Sequence, residues 1–157
     1  MRTGSRGFTL IEMVAVVAIV GVLAVAAHPV LELTTRRSQE MQLRSALRVL
    51  RSAIDAHKAA ADEGVIAKAP DASGYPPSLQ VLVDGVPEAK NGSARRLYFL
   101  RRIPRDPFAD PTLPAAQTWA LRSHDSPPQA PAPGRDVFDV MSRSTGSALD
   151  GTRYDSW

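Results

Sequence analysis

Gly7-Phe8-Thr9-Leu10-Ile11-Glu12-Met13-Val14-Ala15-Val16-Val17-Ala18-Ile19-Val20-Gly21 is the stretch on which the reading of the whole chain turns. Before it lies a short polar leader that carries Arg2 and Arg6. With it begins a run, Phe8 to Ala27, that is nearly all apolar. Twenty helical residues at about 1.5 Å each match a hydrocarbon core of about 30 Å. A secretory signal core is shorter, about 7–15 residues. Arg2 and Arg6 favour a cytoplasmic N-terminus, which puts the rest of the chain outside, in the periplasm if there is an outer membrane. Glu12 interrupts the run. A carboxylate at the centre of a membrane helix costs about 2.5–3.5 kcal/mol, so it needs a positive partner or a donor. Cleavage before Phe8 would create such a partner, because the new α-amino group is charged. Glu12 of one subunit could then pair with the amino terminus of the next.

Two plainer readings stay open. Phe8–Ala27 could be an ordinary signal anchor with Glu12 near the interface. Ala24-Val25-Ala26 has the A-x-A form of a secretory cleavage site, although Glu12 inside the apolar core argues against a secreted product.

Gly7-Phe8-Thr9-Leu10-Ile11-Glu12 behind a short basic leader closely resembles the class III signal of type IV pilins and type II secretion pseudopilins. The resemblance implies that a prepilin peptidase cuts between Gly7 and Phe8 and N-methylates Phe8. It also implies that Phe8 and Glu12 direct assembly, and that Gly21 and Pro29 break or loosen the helix.

From Val30 to Glu63 there is neither proline nor glycine. Leu43, Leu47, Leu50 and Ile54 recur at helical spacing, and Ala46, Ala53 and His57 widen the stripe. Arg36, Arg37, Arg44, Arg48 and Arg51 read as a solvated face. Gly64 is the expected C′ residue. One helix from Phe8 to Glu63 would be about 84 Å long. The expected layout is therefore a leader (1–7), a transmembrane half (8–28) and a periplasmic half (29–64) of one spine helix, and a small proline-rich head (65–157).

Twelve of the thirteen prolines lie between Pro70 and Pro133, which excludes long helices there. Leu79 to Val83 reads as a short helix with Ser78 as its N-cap. Leu97 to Ile103 is an extended segment or a last helical turn. Thr118–Arg122 and Asp136–Ser142 are the strand candidates, joined by the loop Ser126–Pro133. The fold class is α+β, with a small antiparallel sheet or hairpin packed on the helix.

The head narrows the resemblance. Gly74-Tyr75-Pro76-Pro77-Ser78-Leu79, Ile103-Pro104-Arg105-Asp106-Pro107-Phe108, Asp136-Val137-Phe138-Asp139-Val140-Met141-Ser142 and Trp157 look like the major pseudopilin branch. That branch implies a homopolymeric helical filament in type II protein secretion. Its partners are minor pseudopilins, the prepilin peptidase and an inner-membrane assembly platform. In that branch a calcium ion orders the C-terminal loop, but here the loop is shorter and poorer in acids than the family pattern, so no metal and no cofactor is expected; Asp150 and Asp155, with Arg153 between them, are only weak calcium candidates. Asp150-Gly151 reads equally well as a turn. Tyr75, Phe108, Trp119 and Trp157 read as core anchors.

Other functions find little footing. There is no cysteine, hence no disulfide and no thiolate metal site. Setting Arg2 and Arg6 aside leaves 17 basic residues against 16 acidic ones, so no nucleic-acid partner is expected. His28, His57 and His124 share no ligand spacing, His57 reads as a packed histidine, and Asp106 and Asp110 read as turn initiators. No catalytic residues and no enzyme activity are expected. A type IV pilus or competence pilin, and a membrane-anchored binding module that never polymerises, are the competing readings.

Overall fold

A helix, α1 (Leu10–Asp62), and a set of short elements make up the described part of the chain. The structure, a computed structural model, describes residues 8–89 and 95–157, and the side chains of all of these except 25–30. The chain divides into two units, Met1–Ser38 and Gln39–Trp157, with the division inside α1.

In the first unit every described residue from Phe8 to Ala24 is exposed. Leu10, Ile11, Met13, Val14, Val16, Val17, Ile19 and Val20 place apolar surface on all sides of the helix, not on one stripe. A single chain gives that surface no cover of its own. Among the described residues, no helix is long and apolar enough to cross a membrane. Residues 25–27, the end of the run read as a span, lie outside the described side chains. In the single chain α1 passes through Gly21 and Pro29 without interruption. A mid-helix proline costs about 3 kcal/mol, and the turns on either side can hold the helix together across it.

The second unit holds the core. α1 buries Leu43, Ala46, Leu47, Leu50, Ala53, Ile54 and His57, the stripe read from the sequence, and Ala61 extends it. Each fully buried Leu or Ile contributes about 1.5–3 kcal/mol. α1 ends in a Schellman motif: Gly64 takes φ +66°, its N–H bonds Ala61 O (3.1 Å), and Val65 N–H bonds Ala60 O (2.8 Å).

α2 (Leu79–Asp84) adds Leu79 and Leu82 to the core. Ser78 stands at its N-cap with extended backbone, but its hydroxyl makes no capping bond, which corrects that part of the expectation. At the other end Gly85 has φ 75° and ψ 159°, a region that only glycine occupies readily. A Cβ there would also lie 2.8 Å from the Tyr98 ring.

Among the described residues the strands form two separate antiparallel pairs. β1 (Val86–Pro87) pairs with β2 (Arg96–Leu97), and β3 (Trp119–Arg122) pairs with β4 (Asp139–Ser142). The second pair is the hairpin expected from the sequence, in the register Trp119↔Ser142 to Arg122↔Asp139. It turns Trp119, Val140 and Ser142 inward. The first pair was not expected. Leu97 begins the segment in β2, after which Phe99 and Leu100 leave it and donate their N–H groups to Leu82 O.

Candidate functional site

Two places carry side chains that packing alone does not explain. The first is the start of α1. Arg2, Arg6 and Gly7 lie outside the described residues. Phe8 follows them, largely in solvent at 74% exposure. Thr9 Oγ1 accepts a hydrogen bond from Glu12 N–H (3.3 Å), and Thr9 O accepts from Glu12 and Met13 N–H (3.1 and 3.2 Å). Thr9-Leu10-Ile11-Glu12 thus has the form of a capping box with its threonine half made. Glu12 lies in the first turn, where the helix dipole favours negative charge. Among the described residues its carboxylate takes no hydrogen bond or ion pair. An unpaired anion beside a rim of Phe8, Leu10 and Ile11 is a surface suited to a cationic partner in an apolar setting.

The second place is the C-terminal segment, where α1 supplies three residues spaced by four and seven. Glu40 Oε1 accepts from Leu149 N–H (2.8 Å) and from the Tyr154 hydroxyl (2.9 Å). Arg44 donates to Asp150 Oδ2 (2.9 Å), and its guanidinium lies 4.2 Å from the Trp157 ring centroid. Arg51 donates to Asp139 Oδ1 (2.7 Å), Val140 O (3.1 Å) and Trp157 O (2.7 Å). Arg44 and Arg51 therefore do not simply form a solvated face: they hold the head, which corrects the reading of the arginine run at these two positions. A sequence spacing on one helix cannot name partners about a hundred residues away.

The two weak calcium candidates do not fit the ion. Asp150 Oδ1 is taken by Thr152 N–H (2.9 Å) and the Thr152 hydroxyl (2.6 Å), and its Oδ2 by Arg44. These Thr152 bonds, and Arg44 after them, hold the carboxyl below its ordinary range despite some desolvation. Asp155 takes both of its bonds from Arg153 (3.0 and 2.6 Å). Calcium needs six to eight oxygens. Among the described residues no three His, Cys, Asp or Glu side chains gather to hold a metal. Asp150-Gly151 is a turn, with Gly151 at φ 85°.

Two buried carboxylates tie the head together. Asp106 starts a turn through Phe108 N–H (2.8 Å), as its sequence suggested, and also takes the Ser142 hydroxyl (2.5 Å). Asp136 gathers the Ser73 hydroxyl, the Ser123 hydroxyl (2.8 Å) and His124 N–H (2.9 Å). Burial pushes the Asp136 carboxyl up, but bonds from Ser73, His124 and Ser123 outweigh it and leave it lowered. A lowered carboxyl stabilises the fold fully above its unfolded value, about 3.9, and that stabilisation is lost as pH falls through the folded value. Asp136→Asn should therefore cost about 1.5–3 kcal/mol near neutrality and flatten the loss of stability below about pH 4. Urea titrations at a series of pH values measure both. His57 is packed, with Nδ1 3.0 Å from Gly74 O, and burial lowers its pKa against that bond. His124 instead lies beside the Tyr75 and Phe138 rings, and the side chain of His28 lies outside the described ones.

A helix that begins in an N-terminal apolar stretch and ends under a small antiparallel head defines a pilin-like protein of the α+β class. Residues 2–27 match the prokaryotic N-terminal methylation motif. The chain is 30% identical over 111 residues to the type II secretion system core protein G of Klebsiella michiganensis, covering 68% of this chain and 70% of that one. This chain belongs to that family, the major pseudopilins of type II secretion. No solved structure matches it.

Proposed function

We propose that the chain is a structural subunit of a type II secretion pseudopilus. It enters the inner membrane once through residues 8–28, with its N-terminus in the cytoplasm and its head in the periplasm. The prepilin peptidase cuts between Gly7 and Phe8 and methylates the Phe8 nitrogen. The assembly platform then moves the subunit into a periplasmic filament with copies of itself and with minor pseudopilins. The observation that carries this reading is the lone carboxylate of Glu12, at the start of a helix apolar on every side, inside a matched methylation motif.

Gly21 and Pro29 are the positions at which the helix would loosen on assembly. A Cβ at Gly21 would meet nothing within 4 Å, so packing in the single chain does not require glycine there.

Intact mass and N-terminal sequencing of the membrane-purified protein, with and without co-expressed prepilin peptidase, test the proposal. A chain starting at N-methylated Phe8, seen only with the peptidase, is the expected result. An uncut chain with the peptidase present would point to a plain anchor, and a chain starting near Ala27 to secretion. Either would overturn it.

A further inference from the structure

We propose that side chains of α1 hold the C-terminal segment, residues 146–157, in the role a cation would serve, so that the head of this chain is ordered without calcium. The inference concerns the head alone and stands whether or not the chain polymerises.

The segment offers a cation few free oxygens. Both carboxylate oxygens of Asp150 are engaged, one by Thr152 and one by Arg44. Both oxygens of Asp155 are engaged by Arg153. The Leu149 N–H and the Tyr154 hydroxyl turn towards α1 as donors and meet an anion, Glu40. A guanidinium already stands over the Trp157 ring and against Asp150, so a divalent ion there would meet like charge.

What a bound ion does for a loop, α1 does here with three residues. Glu40 fixes positions 149 and 154, Arg44 fixes 150 and 157, and Arg51 takes the main chain at 157. Beneath them the segment is seated by its rings. Tyr154 is buried, stacks on Phe108 at 4.2 Å, and meets Trp157 edge-on at 5.2 Å. Each exposed ion pair alone is weak, and the hold comes from several contacts made to one short segment over a buried aromatic.

The full-length protein in detergent, given millimolar calcium chloride or a chelator, provides the test. Tm and the rate of proteolysis within 146–157 should be the same in both, to within about 1 °C and a factor of about two. Calorimetric titration with calcium should show no saturable binding. A Glu40→Ala, Arg44→Ala double variant should be cleaved in that segment about tenfold faster or more, and calcium should not restore it. A Tm several degrees higher in calcium, as a site filled about a hundredfold above its Kd produces, would overturn the proposal. So would saturable calcium binding by the unsubstituted chain, or cleavage unchanged by the double substitution.

Discussion

A Glu12→Ala variant is expected to enter the membrane as well as the unsubstituted chain and to build almost no filament. Insertion should not suffer, because a carboxylate near the bilayer opposes it by up to about 2.5–3.5 kcal/mol and alanine does not. The helix start should not suffer either, because Thr9 Oγ1 takes its bond from the Glu12 main-chain N–H, which alanine keeps. What would disappear, in the proposed filament, is the anion that would face the Phe8 amino group of a neighbouring subunit. Removing one partner of a buried charge pair costs about 3–5 kcal/mol, because the other charge is left unpaired in an apolar setting. That is more than a hundredfold in affinity at each subunit addition. Glu12→Gln keeps the shape and one acceptor but not the charge, and should fail nearly as badly. Immunoblots of sheared filament and membrane fractions, from cells that overproduce the protein, decide it. Filaments in normal amount from either variant would remove Glu12 from assembly.

The largest loss of stability should come from Trp119→Ala. Trp119 is fully buried among residues of α1, α2 and β4, and its Nε1–H donates to Pro104 O at 2.8 Å. Its main-chain oxygen also takes the Arg143 guanidinium (3.1 Å), so β3 is held there from both sides. Deleting a buried tryptophan ring costs about 3–5 kcal/mol through lost transfer energy and an unfilled cavity. Domains have only about 5–15 kcal/mol of stability, so the variant should be partly unfolded at growth temperature and degraded. Trp119→Phe retains most of the ring and leaves Pro104 O without its donor, for about 1–3 kcal/mol. Urea denaturation followed by circular dichroism separates the two. A change below about 1 kcal/mol for Trp119→Ala would mean that the core closes over the gap.

The parts of the molecule that the sequence made legible are those with a repeating or spaced signal. Leu43, Leu47, Leu50 and Ile54 are buried on one side of α1 because a 3.6-residue period leaves them no other place. Gly64 ends that helix because a left-handed residue is needed and glycine alone takes that conformation at no cost. The β3–β4 hairpin was legible from two short runs of strand-forming residues. The β1–β2 pair was not, since two residues per strand carry no alternation and Pro87 argues against one. Arg44, Arg51 and Glu40 were visible as charges, but their partners are fixed by the folded head. Asp136 read as the first residue of a strand, but the strand begins at Asp139, and only the closing together of Ser73, Ser123 and His124 makes Asp136 a junction.

The bonds from Glu40 to Leu149 and Tyr154 join residues 109 and 114 positions apart in sequence. Contacts that far apart close large loops and form late. On the proposed topology, with the N-terminus held in the cytoplasm, the head would cross the membrane from its α1 end onward and could not be finished until the segment after Gly146 is through. Until then the part of α1 that the last segment covers would be open, so the interval between the appearance of Leu43 and that of Tyr154 is when a holding chaperone would have something to bind.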